Sequence, residues 1–264
     1  DLSSTTDQMT SFNGGVNATV VKGFENLDLA GLLTNGAVVT GSSAANTITG
    51  SGLVDQIGGG NGNDVLTAGG GADVITGGSG TDTISGGAGN DLITGLAGAD
   101  VITVGTGRDA VIMTAVTESA AAANDTITGF GKATVASTAA EVNAMSSIAN
   151  FQAAATAKGG AEADLLDFFT AVAIEADESA VNVAAGVTGS GTVTGTLKDG
   201  ILTVQGSDAA DVDTIGEWVD VLEIMLNTAN DVAGFEFSGD TYVMQNTSID
   251  ANDQLLQLVG VTGV

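Results

Sequence analysis

From Ile48 to Val111 an aliphatic residue stands at every ninth position: Ile48, Ile57, Leu66, Ile75, Ile84, Ile93, Ile102 and Val111. Two residues ahead of each comes an amide or a carboxylate, Asn46 and then Asp55, Asp64, Asp73, Asp82, Asp91, Asp100 and Asp109. The segment 41–112 therefore divides into nonapeptides without an insertion, from 41–49 to 104–112. Self-similarity at a fixed period marks a repeat architecture. Positions seven to nine, such as Val65-Leu66-Thr67 and Thr83-Ile84-Ser85, predict a three-residue strand with the eighth side chain pointing inward. Positions one to six predict a tight turn in left-handed or otherwise strained backbone, which glycine adopts most cheaply.

Outside the repeats the pattern changes. In Val20–Leu29 the alternation of Leu27 and Leu29 predicts a strand leading into the repeats. Residues 1–40 are expected to continue the solenoid with imperfect coils that cap it, because an open end would expose a sheet edge. Downstream, Thr138-x-x-Glu141 is a capping box that opens a helix through about Ala157, closed by Lys158-Gly159-Gly160. A second helix is expected from about Ala161 to Glu175, burying Leu165, Leu166, Phe168, Phe169 and Val172. Thr194–Leu197 and Ile201–Gln205 flank Asp199-Gly200, a hairpin signal. Ile215, Trp218, Val219, Leu222, Met225 and Leu226 fall on one helix face, where Trp218 reads as core packing. Phe235–Phe237 and Thr241–Met244 predict a hairpin around Gly239-Asp240, and Leu255–Val259 predicts a last strand.

Charge narrows the partners. The chain has 32 acidic and 5 basic residues, a net charge of −27, so nothing basic is at hand to neutralise phosphates. Nucleic acid and anionic membranes are disfavoured, and a cation is the natural partner of such a surface. His, Cys and Pro are absent. That removes disulfides, thiol nucleophiles, imidazole bases and ordinary zinc or copper sites. Oxygen ligands remain, and they suit calcium. With hydrophobic residues at 43%, a packed core is within reach. There is no run of 18 or more apolar residues, hence no membrane insertion, and no signal peptide. The start at Asp1 rather than Met is expected of a processed protein or a fragment.

The nonapeptides resemble the RTX family, whose signature is G-G-x-G-x-D-x-U-x with U aliphatic. Repeats 59–67, 77–85 and 86–94 match it fully, the others depart at one or more positions, and Asn124-Asp125-Thr126-Ile127 looks like a trailing partial unit. The resemblance implies a β-roll in which two repeats complete one coil. Asn46, Asp64, Asp82 and Asp100 then line one edge, and Asp55, Asp73, Asp91 and Asp109 line the other. Like charges stack about 4.8 Å apart along each edge, strongly unfavourable without a cation. With calcium, each Asp bridges two ions while turn carbonyls complete the roughly six to eight oxygens the ion needs.

The ligands that the resemblance implies are these sixth-position side chains together with turn carbonyls. The carbonyls are those of Gly59, Asn61, Gly62, Gly71, Gly77, Ser79, Gly80, Gly86, Ala88, Gly89 and Gly98. They would hold about four to six calcium ions, most weakly where Asn46 or Leu53 departs from the motif. The alternative is a metal-free solenoid in which Asp and Gly serve only as turn formers, although turn chemistry alone does not demand Asp at every sixth position.

The fold class expected is mainly β: a parallel β-roll or β-solenoid with bound calcium over 41–131, after the N-terminal β segment 1–40. An α+β segment over 132–264 follows, with its own core and a secretion signal by family inference. Asp208, Asp211 and Asp213 are compatible with one more calcium or with helix N-capping. Glu175, Asp177 and Glu178 read as a solvated turn, and Gly186–Gly191 lacks the lysine and spacing of a phosphate-binding loop. No active site is visible, and the chain is not expected to be an enzyme.

Two function classes follow. One is a surface-layer-like structural protein of the cell surface or extracellular space. It would be secreted unfolded by a type I machinery, folded by calcium and self-associating into a lattice. The other is the RTX secretion and folding domain of a secreted enzyme, toxin or adhesin.

Overall fold

The structure, a computed structural model, describes residues 8–9, 20–22, 26–31, 35–113, 124–131, 165–168, 173–174, 178–182, 194–198, 201–205, 218–219, 222, 226, 231–245 and 254–261. By its contacts the chain divides into two units. Asp1–Glu118 with Asp125–Phe169 form one, and Ser119–Asn124 with Thr170–Val264 form the other.

The first unit is wound from parallel strands. These are β1 (Gln8–Met9), β2 (Val20–Lys22), β3 (Asn26–Asp28), β4 (Val38–Thr40), β5 (Thr47–Thr49), β6 (Gln56–Asn61) and β7 (Val65–Gly70). They continue with β8 (Val74–Ser79), β9 (Thr83–Ala88), β10 (Leu92–Ala97), β11 (Val101–Thr106), β12 (Ala110–Met113), β13 (Asp125–Thr128) and β14 (Leu165–Phe168). Odd-numbered strands lie side by side in one sheet and even-numbered strands in the other, each in chain order. Within the repeats the register places Ile48 opposite Leu66, then Ile84, then Ile102. In the other sheet Ile57 lies opposite Ile75, then Ile93, then Val111. One coil is thus two nonapeptides.

The eighth positions make the core. Ile48, Ile57, Leu66, Ile75, Ile84, Ile93, Ile102 and Val111 are each at most 1% exposed, as is Ile127 beyond them. Burying one such side chain contributes about 1.5–3 kcal/mol, so a stack of them holds each short strand in place. Seventh positions face outward at Val65 and Val101, whereas Leu92 and Ala110 are buried in a small cluster with Val74 and Ile112. Coils continue past both ends of the repeats. Leu27 pairs with Ile48 and Val39 with Ile57 ahead of them; Ile102 pairs with Ile127 and Val111 with Leu166 behind.

Turn conformation explains the glycines at positions two and four. Gly78 has φ 132 and Gly89 has φ 139, and a Cβ at either would strike the Gly60 or Gly71 carbonyl of the neighbouring coil. Only a residue without a side chain fits so close to the next turn.

The second unit is mainly β. Its strands are β15 (Ala173–Ile174), β16 (Glu178–Asn182), β17 (Thr194–Lys198), β18 (Ile201–Gln205), β19 (Asp231–Phe237), β20 (Asp240–Gln245) and β21 (Gln254–Val259). They lie in the order β21-β20-β19-β18-β17-β16, with β15 parallel to β19. The strands flanking Asp199-Gly200 pair antiparallel, Lys198 opposite Ile201, and the strand over 255–259 forms where the sequence places it. Trp218, Val219 and Leu222 are helical, and the Leu226 N–H donates to the Leu222 carbonyl. This helical turn packs with Leu202, Phe235, Met244 and Leu255, and Trp218 stacks on Phe235, which stacks on Tyr242. Among the described residues no helix is long and apolar enough to cross a membrane.

Four expectations are corrected. The strands β6 to β11 run six residues rather than three, because positions one to three of the following repeat continue each strand by pairing with the neighbouring coil. In place of a helix over 161–175 the structure has β14, parallel to β12, and β15. The open edge of β12 offers a row of unpaired backbone groups, and satisfying it overrides helical periodicity in a short apolar run. The second hairpin turns at Ser238-Gly239, not Gly239-Asp240. Both residues have positive φ, 54 and 92, as a two-residue turn matched to strand twist requires, while Asp240 already pairs with Phe237. Glu178 opens β16 opposite Leu197 instead of lying in a turn. The helix over 138–157, and Glu175, Asp177, Asp208, Asp211 and Asp213, lie outside the described residues.

Candidate metal centre

Each turn ends on its sixth-position residue just ahead of a strand, so the strand register also fixes these side chains. They stack into two ladders with one carboxylate per coil. On one edge the Asn46 N–H donates to Asp64 Oδ1 at 2.7 Å, that of Asp64 to Asp82 at 2.8 Å, and that of Asp82 to Asp100 at 2.8 Å. The Asp100 N–H donates in turn to Asp125 Oδ1 at 2.8 Å. On the other edge the Ala37 N–H donates to Asp55 at 2.6 Å, Asp55 to Asp73 at 2.7 Å, Asp73 to Asp91 at 2.9 Å, and Asp91 to Asp109 at 2.8 Å. The two edges expected from the sequence are therefore brought together as two hydrogen-bonded rows.

The second carboxylate oxygen carries the chemistry. Oδ2 of Asp64, Asp73, Asp82 and Asp91 is buried and, among the described residues, accepts no hydrogen bond. Those side chains are at most 1% exposed. A buried ionised carboxylate needs a positive partner or it takes up a proton. The Asp73 carboxyl is raised to about 7, first by burial and then by the Asp91 and Asp55 charges, against the N–H it accepts from Asp55. Burial likewise raises Asp91 to about 6, against the N–H from Asp73. Asp64 and Asp82 are raised for the same first reason, with the Asp64 charge adding to the rise at Asp82.

This donor set fits calcium: hard oxygens, stacked negative charge and orphaned carboxylate atoms. Among the described residues no three carboxylates converge on one point. One carboxylate per coil means that an ion here draws its remaining oxygens from turn carbonyls. Of the residues expected to lend carbonyls, Gly59, Asn61, Gly77, Ser79, Gly86 and Ala88 lie in the second halves of β6, β8 and β9, and Gly62, Gly71, Gly80, Gly89 and Gly98 in the turns that follow strands. The Ser79 and Ala88 carbonyls already accept the Gly62 and Gly71 N–H at 2.8 and 2.9 Å, which leaves each a second lone pair.

The structure adds residues that the repeat register does not single out. Asp125, 25 positions after Asp100, extends one ladder by a coil; its Asn-Asp-Thr-Ile context is the signal. Asn63 and Asn90, at fifth positions, accept the Thr81 and Arg108 N–H at 2.9 Å from the next coil. Ser42 and Ser51 bond to Asn46 and Asp55 in the first two repeats.

Fold and ladders together define a parallel β-roll built on a repeated acidic turn. Compared with known families, the chain matches the RTX calcium-binding nonapeptide repeat (4 copies) over residues 40–75, 49–84, 58–93 and 76–111. Residues 40–111 thus carry RTX calcium-binding repeats. Comparison with curated proteins gives no match.

Proposed function

We propose that the chain is a calcium-dependent folding and assembly module of an exported, surface-layer-like structural protein. The observation that carries the calcium part is the row of buried, donor-less Oδ2 atoms on Asp64, Asp73, Asp82 and Asp91. Bound calcium supplies positive charge and oxygen coordination to such a row. The chain's residues do the rest. The Asp side chains hold successive turns in register, the turn carbonyls complete the ligand shells, and the eighth-position aliphatics close the core behind them.

Affinities of extracellular calcium modules are about 10⁻⁴–10⁻³ M. In a cell interior poor in free calcium the ladders repel, and the chain stays unfolded and fit for threading through a type I secretion machinery. Outside, folding is linked to binding. A composition rich in Ala, Thr, Gly and Val and poor in Lys supports the lattice reading and a cell-surface location. The chain has no catalytic role in this reading, since His and Cys are missing and the regular carboxylates are committed to the ladders. Circular dichroism should show little β-structure in chelator and a cooperative gain at millimolar calcium. A spectrum unchanged across that titration would sink the reading.

A further inference from the structure

The first two repeats are built differently from those that follow. From residue 59 onward, positions two and four have positive φ: Gly60 and Gly62, Gly69 and Gly71, and so on through Gly105 and Gly107, with Leu96 at φ 70 in the same place. Among the described non-glycine residues only Leu96 and Ser238 have positive φ. Ser42 with Ala44, and Ser51 with Leu53, therefore hold their turns in ordinary backbone. Each serine hydroxyl accepts the N–H two residues on, Ala44 or Leu53, at 3.1 Å. That is a side-chain-closed turn.

The same serines then occupy the sixth-position side chain. The Ser51 N–H donates to Asp55 Oδ2 at 2.6 Å, and its hydroxyl lies 3.0 Å from Oδ2 and 3.2 Å from Oδ1. The Ala37 N–H takes Oδ1 as well. Both oxygens of Asp55 are thus engaged, whereas Oδ2 of Asp64, Asp73, Asp82 and Asp91 faces no donor. In the preceding repeat an amide does the same work with no charge. The Ser42 N–H donates to Asn46 Oδ1 at 2.7 Å, and Asn46 Nδ2 donates to the Ser42 hydroxyl at 3.1 Å.

We infer that Ser51 shuts Asp55 off from calcium: Asp55 is a hydrogen-bonded rung, and the metal ladder on its edge begins at Asp73. Position two of the repeat is then the residue that decides between the two kinds of rung. Glycine there leaves the carboxylate open to the ion, and serine closes it from within the turn. The inference rests on the calcium reading of the ladders and differs from the sequence expectation, which counted Asp55 among the ligands.

The test is the number of calcium ions bound by the full chain, measured by calorimetric titration and equilibrium dialysis with calcium chloride. Asp55→Asn can rebuild the bonding seen between Asn46 and Ser42. It should bind as many ions as the wild type, with the same circular dichroism at saturating calcium. Asp82→Asn should bind at least one ion fewer. Ser51→Gly, which keeps the carboxylate and frees it, should bind one ion more. An ion lost from Asp55→Asn, or an unchanged count in Ser51→Gly, overturns the inference and leaves the calcium reading standing. A wild-type chain that takes up no calcium removes both.

Discussion

Asp82 sits in a fully matching repeat, buried, with one oxygen accepting the Asp64 N–H and the other facing no donor. Replacing it by alanine removes one hydrogen-bond acceptor and one charged ligand. Interactions with charged groups contribute about 1.5–3 kcal/mol, so the calcium midpoint of folding in Asp82→Ala should rise by about tenfold or more. Asp208→Ala, outside the repeats, should leave it in place. Equal midpoints for the two variants would contradict the ladder. Protons compete for the same atoms. Asp73 and Asp91 titrate near about 7 and about 6 in the folded roll, above an unfolded value of about 3.9. The metal-free folded state therefore binds more protons than the unfolded one between those limits. Its protonation-linked stability is complete below about pH 4 and is lost as pH rises through 6 to 7. In chelator, β-structure should increase from pH 8 to pH 5. Circular dichroism at the two pH values decides it; equal metal-free signals would show that the carboxyls are not held in the ladder.

At the scale of the element, each strand from β6 to β11 is held to the core chiefly by its eighth-position side chain, with the first position of the next repeat, such as Ala68 or Val104, buried behind it. Ile84→Ala leaves a cavity in a stack whose members are at most 1% exposed, and should cost about 2–5 kcal/mol. Val101→Ala, at a site 42% exposed, should stay within about 0.5 kcal/mol. Thermal unfolding in saturating calcium compares them, and similar losses would mean that the inward face has been misassigned. The same asymmetry explains what the sequence discloses. A period of nine with Asp at six and an aliphatic at eight determines strand, turn, edge and register at once, so the roll and its ladders can be read directly. What escapes is decided by partners distant in the chain. Leu165–Phe168 becomes a strand because β12 has an open edge, and no local pattern records that. Asp125 joins a ladder across more than a nonapeptide pair of sequence. Ser42 and Ser51 look like minor departures from glycine until their hydroxyls are seen closing the turns.

For the molecule as a whole, the question is whether calcium acts on the net charge of −27 or on particular atoms. A diffuse effect would be one of screening, and any salt would supply it. At about 1 M monovalent salt the Debye length is about 3 Å, shorter than the roughly 4.8 Å between strands of neighbouring coils, so repulsion between exposed charges is largely removed. The ladder carboxylates are not exposed. Asp64, Asp73, Asp82 and Asp91 are at most 1% accessible, and buried charges are screened far less. Their cost is desolvation of an unpaired oxygen, which mobile ions outside the turn do not relieve. Sodium chloride at 1 M in chelator should therefore leave the chain with little β-structure, while millimolar calcium at low ionic strength folds it. Adding the same salt to the calcium-loaded roll should shift its midpoint only modestly. Circular dichroism across both titrations separates the cases: folding by sodium chloride alone would assign the switch to net charge and remove the coordination argument.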